Sequence, residues 1–152
     1  MKKKLSLLLA LLMLTSIAAL AACSKVEPIT VKVVINVAEE DDRGRPEVTE
    51  TILETDFAYE SSTPTLNDLL VKLRDAGKIN LVTEADGDNV IITGINDLVP
   101  KTDETETTME DYDWYVYIND GDAEDNSLSS TKAIAANDTV TITYMHYSIA
   151  KE

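Results

Sequence analysis

The hydrophobic residues of the chain recur with two different periods, and these periods predict its elements. A period of two runs through residues 29–38 and is typical of a strand. One face of this strand carries four aliphatic residues, Val31, Val33, Ile35 and Val37. A second segment rich in β-branched residues covers 47–55, after a polar turn at 39–46. We therefore predict that the two segments pair as a hairpin.

The next segment has the period of an α-helix. Four leucines fall at i, i+3, i+4 and i+7, namely Leu66, Leu69, Leu70 and Leu73. Thr65 and Asp68 have the spacing of a capping box, and Gly77 suits the C′ position after a helix. The sequence predicts one helix over 65–77, with its leucine stripe in the core.

The rest of the chain predicts short strands between polar connections. The strands are expected at 79–82, 89–93, 112–119 and 139–147. A turn is expected at 84–88, a mobile loop at 100–110 and a long acidic loop at 120–130. Two strands, one helix and then several strands predict an α+β fold, in which one helix covers a mostly antiparallel sheet.

The first 24 residues have the pattern of a secretory signal. Three lysines follow Met1, an apolar run covers 5–22, and small residues precede the one cysteine of the chain, Cys23. The segment Leu20-Ala21-Ala22-Cys23 resembles the lipobox of bacterial lipoproteins. This resemblance implies cleavage before Cys23 and a diacylglycerol on its sulfur. An uncleaved helix of roughly 18 apolar residues can also span a bilayer, but it does not explain the small residues and the cysteine at its end.

This interpretation divides the chain into three parts. Residues 1–22 are a lipoprotein signal peptide, 23–29 are a short lipidated tether, and 30–152 are one domain of ordinary size. Two acyl chains hold a protein stably on a membrane, whereas one holds it only marginally. We therefore expect a protein on the extracytoplasmic face of the cell membrane, attached through Cys23.

The charge of the chain excludes some partners. Loss of the signal peptide leaves ten basic and 28 acidic residues, a formal net charge of −18. Nucleic acid is excluded because its binding depends on basic residues that neutralise phosphate. The body of the protein is also repelled from anionic lipid. Solubility explains such acidity without a specific cationic partner.

Three segments together indicate a family. They are Ile92-Thr93-Gly94-Ile95-Asn96, then Trp114-Tyr115-Val116-Tyr117-Ile118-Asn119, and then Ala136-Asn137-Asp138 followed by a hydrophobic strand that ends at Tyr144. Their order resembles the transcobalamin C-terminal-like domain family, whose bacterial members are often short lipoproteins or modules of surface proteins. The resemblance covers about residues 30–147 and implies a β-grasp-like fold.

The chain departs from the family pattern at two turns. Asp120 follows Asn119, which moves Gly121 one place later, and Asn137 stands where the family usually has glycine. Asparagine tolerates positive φ better than other non-glycine residues do, so the second change preserves the turn.

The resemblance also implies a candidate ligand. In the vertebrate cobalamin carriers, a domain of this type forms one wall of the corrinoid site and a separate helical domain forms the other. The mature chain is expected to leave no room for that second wall. The leading interpretation is a non-catalytic module that binds a small molecule or a surface protein. The alternatives are capture of a corrinoid (cobalamin) for uptake and a structural or adhesive surface protein.

The candidate ligand contacts lie in the aromatic strand. They are Trp114, Tyr115 and Tyr117. Trp114 shares a face with Val116 and with Ile118, which also favours a place in the core. Tyr115 and Tyr117 lie on the other face, either as cross-strand partners or as an exposed recognition patch.

The sequence predicts no catalytic group, resident cofactor or metal. The one histidine, His146, is interpreted as a surface or edge-strand residue. The acidic segment 120–126 is similar to a calcium loop, but Asp125 takes the glycine position of an EF-hand and Thr131 the closing glutamate position. A solvated acidic loop is the simpler interpretation.

Overall fold

The computed structural model describes residues 26–41, 43, 45–86, 89–119, 121, 127–128 and 132–151. The predicted signal peptide, Cys23 and most of the acidic loop at 120–130 lie outside the described residues. Within the described ranges, no helix has the length and apolar character that crossing a bilayer requires.

Strands dominate the described chain. In chain order the elements are β1 (Ile29–Glu40), β2 (Pro46–Tyr59), α1 (Leu66–Asp75), β3 (Leu81–Asp86), β4 (Asn89–Ile95), β5 (Lys101–Glu104), β6 (Thr108–Ile118), β7 (Ser127–Leu128) and β8 (Thr139–Ala150). Five strands form one sheet in the order β2-β1-β8-β6-β5, and three form a small sheet in the order β3-β4-β7. The pair β1·β8 is parallel, and the other pairs are antiparallel. The coarse prediction of strands packed with one helix is confirmed for the described residues, but the strands form a mixed five-stranded sheet and a separate three-stranded sheet instead of one sheet.

The predicted hairpin is formed by β1 and β2. The predicted alternation holds for Val31, Val33 and Ile35, which are fully buried, but Val37 is only partly buried and Ala38 on the other face is buried. The pairing shifts twice, since Ile35 faces Leu53 and Asn36 faces Thr51, and a second shift follows at Val37/Ala38. The extra residues of these bulges lie in β2, which bends that strand and leaves the period of β1 intact.

The helix begins and ends where its capping residues predict. Thr65 Oγ1 accepts a hydrogen bond from the Asp68 amide at 3.2 Å. Gly77 has φ +66°, and the amides of Gly77 and Lys78 each donate to a carbonyl of the last turn at 2.9 Å. This pair of bonds is a Schellman motif, in which a residue with positive φ is required at C′.

The core lies between the five-stranded sheet, α1 and the small sheet. The helix contributes its four leucines, all at most 1% exposed. The large sheet contributes aliphatic and aromatic residues from one side, among them Val33, Ile35, Trp114, Val116, Val140 and Ile142. The small sheet contributes Leu81, Ile92 and Ile95. One face of the large sheet is therefore the packed face, as the leucine stripe and the alternation of β1 predict.

Three predicted connections differ from the structure. Residues 127–128, expected within the acidic loop at 120–130, form β7 and pair with β4. Residues 101–104, expected within a mobile loop, form β5 and pair in register with residues 109–112 of β6. All four residues of β5 are exposed, so the strand has no buried face to give an alternating pattern. The expected turn at 84–88 begins too early, because β3 continues to Asp86.

Side-chain hydrogen bonds join the turn at Asn119 to the turn that contains Asn137 and Asp138. Asn119 has φ 52°, and its Nδ2 donates to Asp138 Oδ1 at 2.6 Å. Asn119 Oδ1 accepts from the Thr139 amide at 2.8 Å, and Asp138 Oδ2 accepts from the Ala135 amide at 2.7 Å. These bonds fix the end of β6 beside the start of β8. The prediction of positive φ at Asn137 is confirmed, with φ 69°.

Substitution of Asn137 is expected to separate backbone strain from side-chain loss. Asn137→Ala places a β-carbon in the left-handed region without a polar side chain, and it is expected to lower the free energy of unfolding by about 1–2 kcal/mol. Asn137→Gly removes the same side chain without that strain and is expected to change stability by less than about 0.5 kcal/mol. Urea unfolding measures the free energy of unfolding of both variants. Equal losses for alanine and glycine would contradict the backbone explanation.

Candidate functional site

The three aromatic residues predicted as ligand contacts do not form one surface. Trp114 is 0% exposed and packs in the core against Tyr144, with ring centroids 4.9 Å apart. Tyr115 and Tyr117 lie on the opposite face of β6 and are half-buried. The prediction that Trp114 is a core residue is confirmed, and in this structure its side chain has no exposed surface to offer a ligand.

The face of the large sheet away from α1 is here called the outer face. Its residues are different from those of the core cluster. Register partners on β2, β1, β8 and β6 form rows across this face. In that strand order the three central rows are Glu54–Val34–Thr141–Tyr117, Thr51–Asn36–Thr143–Tyr115 and Val48–Ala38–Met145–Asp113. None of these residues belongs to the core cluster. Ala38 and Met145 are nonetheless buried, at 0% and 2% exposure. Thr143 and Asn36 of the same rows are also buried, at 4% and 8% exposure.

Three tyrosines on β6 and β8 form a cluster on this outer face. The rings of Tyr115 and Tyr147 meet edge to face, with centroids 5.7 Å apart and planes at 73°. Burial raises the pKa of the Tyr147 hydroxyl, and its hydrogen bond with Tyr115 raises it further. The pKa of Tyr117 is raised by burial and then by the neighbouring Tyr115. We call Tyr115, Tyr117 and Tyr147 the tyrosine cluster.

The cluster resolves the alternatives that the sequence left open for Tyr115. Tyr115 is a cross-strand partner, because it contacts Tyr147 on β8, and it is also partly exposed. Tyr147 is absent from the predicted contacts, since the sequence does not reveal that β6 and β8 are neighbours. Once Asp111 is known to face Tyr147 in register, the alternation of both strands places Tyr147 with Tyr115.

Carboxylates lie on the same face of the sheet as the tyrosine cluster. Strand alternation and register place five of them on the outer face, Glu40, Glu54, Asp56, Asp111 and Asp113. Lys32 lies on the same face, and its Nζ pairs with Glu54 Oε1 at 2.8 Å. Glu40 lies close enough to Tyr147 to contribute to the raised pKa of that hydroxyl. The described part of this face thus combines aromatic rings with an excess of negative charge.

His146 belongs to a second group, on the core-facing side of the sheet near its end. The His146 ring stacks on Tyr112, with centroids 4.4 Å apart and planes at 9°. Its Nε2 lies 2.6 Å from Glu110 Oε2, and the Ser148 hydroxyl donates to Glu110 Oε1 at 2.9 Å. These two bonds, first that of His146 and then that of Ser148, lower the pKa of Glu110.

This arrangement does not match that of a nucleophile and its base. A serine nucleophile is activated by a hydrogen bond to histidine, whereas here the hydroxyl of Ser148 and the ring of His146 both bond to Glu110. His146 is half-buried on β8, which lies inside the sheet between β1 and β6. The edge-strand interpretation of His146 is therefore wrong.

A shallow depression lies beside His146 and Ser148. It is lined further by Glu39, Glu40 and Asp41, and its volume is about 280 Å³. Small-molecule sites enclose roughly 300–1,000 Å³ and are mostly apolar, so this acidic depression is a poor match for a large planar ligand. Among the described residues, no group of three or more His, Cys, Asp or Glu side chains is arranged to hold a metal ion.

Comparison with known proteins adds no identity. The chain matches no protein-family model, no curated protein and no solved structure. The resemblance to the transcobalamin C-terminal-like domain family therefore stays a prediction.

Proposed function

We propose that this protein is a lipid-anchored, extracytoplasmic and non-catalytic binding module that presents the outer face of its sheet to a partner protein. The observation that carries this proposal is the tyrosine cluster, which lies outside the core on a broad and acidic strand surface. Partly exposed tyrosines are enriched where proteins meet, because each ring supplies apolar area and a polar hydroxyl.

The anchoring part of the proposal comes from the N-terminal sequence. The lipobox-like segment ends at Cys23, and β1 begins at Ile29. The five residues between them span at most roughly 18 Å when extended. The start of β1 is then held near the membrane. The far end of β1, with Glu40 beside Tyr147, is about 40 Å further along the strand.

We further infer that the domain is β-grasp-like. Three features support this: the first and last strands are parallel neighbours, the first two form a hairpin, and the helix follows that hairpin directly. The additional three-stranded sheet is packed on the same core through Ile92 and Ile95.

Corrinoid capture and a purely structural or adhesive role are the alternatives. The three aromatic residues assigned to a corrinoid are divided between a buried and an outer face, which favours a protein partner over a large planar ligand. An absorbance titration with cobalamin tests the corrinoid alternative directly. A saturable spectral change that Tyr117→Ala weakens would favour corrinoid capture over our proposal.

Site-specific photo-crosslinking in intact cells tests the proposed function. A photoreactive phenylalanine analogue at Tyr115 or at Tyr117 is expected to form a discrete crosslink to an envelope protein. The matched control carries the same analogue at Val82, which is 52% exposed on β3 in the small sheet. Equal crosslinking from Val82, or none from either tyrosine position, would contradict a partner on the outer face.

A further inference from the structure

We propose that the outer face binds a cationic segment of its partner protein, with arginine or lysine side chains seated on the tyrosine cluster. This inference rests on the proposed function and adds the chemistry of the partner. Three features carry it: the charge of the face, the geometry of its tyrosine rings and a cation already bound to a tyrosine within the domain.

Charge complementarity is the first argument. The outer face carries Asp111 and Asp113 on β6, the strand of Tyr115 and Tyr117, and it carries Glu40, Glu54 and Asp56 on β1 and β2. The described bases on this face are already paired, Lys32 with Glu54 and Lys151, which follows β8, with Glu104. A cationic segment meets an excess of carboxylates here, so complementary potential favours its approach and its register. The overall acidity of the chain acts in the same direction over a longer range.

The geometry of the tyrosines is the second argument. Tyr115 meets Tyr147 edge to face, with ring centroids 5.7 Å apart, so each ring restricts the other. A ring fixed in this way loses little conformational freedom when a guanidinium or ammonium group packs over it. Thr141 lies beside Tyr117 in the same row and is partly exposed, so it adds a hydroxyl group to the surface, whereas Thr143 beside Tyr115 is buried.

The domain itself contains the proposed contact elsewhere. Lys101 Nζ lies 4.3 Å from the centroid of the Tyr112 ring, and the same ammonium group pairs with Asp103 at 2.8 Å. An aromatic ring with a nearby carboxylate therefore already holds a cation in this fold. The outer face presents both kinds of group on its own surface, where Tyr147 lies near Glu40.

The same charges disfavour a second copy of this chain as the occupant. Two copies that meet through this face would bring their carboxylates together, and like charges across an interface are destabilising. Dimerisation through the face is therefore an outcome that would overturn the proposal. Sedimentation of the lipidated protein in detergent, with and without Tyr115→Ala, detects it.

Peptide binding to the mature lipidated protein tests the inference. The protein is placed in phosphatidylcholine vesicles, and the probe is a labelled peptide in which arginine alternates with serine. The control peptide has citrulline in place of arginine, which keeps the shape of the side chain and removes its charge. We expect the arginine peptide to bind at least about tenfold more tightly than the citrulline peptide, because only arginine carries a charge that the carboxylates and tyrosine rings attract. A tenfold difference in affinity corresponds to about 1.4 kcal/mol.

Two single-charge variants separate docking from general attraction. Glu40→Gln removes a carboxylate from the outer face, and Glu84→Gln removes one from exposed β3 in the small sheet. Both change the net charge by one, so non-specific attraction weakens equally in both. Only Glu40→Gln is expected to weaken peptide binding, by about threefold, and Tyr115→Ala by about fivefold. Circular dichroism confirms that each variant is folded.

The outcomes of this experiment are distinct from those of crosslinking. Equal affinity for the arginine and citrulline peptides, or equal effects of Glu40→Gln and Glu84→Gln, would overturn the cationic partner. A crosslink from Tyr115 together with either of these results would leave the binding module intact and refute only its preference for cations. Absence of the crosslink removes the proposed function itself.

Discussion

Cys23→Ala is expected to abolish stable attachment of the protein to the membrane. The substitution removes the sulfur that the lipobox-like segment is predicted to present for lipidation. Without acyl chains, the acidic body has no attraction for anionic lipid. The variant should be released from the membrane or retain an uncut signal peptide. Cell fractionation, with metabolic labelling by a radioactive fatty acid, measures both attachment and lipid incorporation.

Ser24→Ala is the matched control for this prediction, since it changes the next residue and leaves the sulfur in place. It should keep both the lipid label and the membrane fraction. The folded domain is expected to be unaffected by either substitution, because both sites precede β1. A Cys23→Ala protein that is cleaved to its mature length and still stays in the membrane fraction would refute the lipoprotein interpretation.

Trp114→Ala is expected to be the most destabilising of the substitutions considered. Trp114 is among the largest fully buried side chains of the described core and contacts Tyr144. Truncation leaves a cavity between the sheet and α1, and replacing a buried aromatic residue by alanine costs about 3–5 kcal/mol. Urea unfolding at neutral pH should show this loss as a lower midpoint.

Two variants identify the origin of that loss. Trp114→Phe keeps an aromatic ring, and Trp114 Nε1 has no hydrogen-bond partner among the described residues. The phenylalanine variant should therefore lose only about 1–2 kcal/mol, mainly from the smaller ring. Tyr115→Ala, on the neighbouring position of the outer face, should also cost less than Trp114→Ala. If Tyr115→Ala were the more destabilising change, the assignment of the two faces would be wrong.

The two faces of β6 show which features the local sequence pattern predicts and which it does not. Alternation predicts that Trp114 and Tyr115 point in opposite directions, and the structure confirms this. It does not predict which strand lies beside β6, because strand order depends on contacts far apart in sequence. Tyr147 therefore joins Tyr115 only through the β6·β8 pairing. The tyrosine cluster is a tertiary feature assembled from two locally predictable strands.

The polar segments form structure that the local sequence pattern does not predict. β5 has no buried residue, so no hydrophobic period marks it, and its pairing with β6 forms it. The interaction of Glu110 with both His146 and Ser148 also depends on the neighbouring strand. Polar side chains show no hydrophobic period that could locate their partners. Only the register of the sheet decides which of them meet.

The sequence by itself determined the features that depend on neighbouring residues. They are the hairpin, the helix with both its caps, the leucine stripe and the face on which Trp114 is buried. Local sterics, capping bonds and the period of apolar residues are sufficient for these. Only the tertiary structure decided the order of the strands, the hairpin of β5 and β6, and the meeting of Tyr115 with Tyr147 on an acidic face. These features arise from pairing between distant segments, whose free energy comes from the assembled sheet and not from any one stretch of chain.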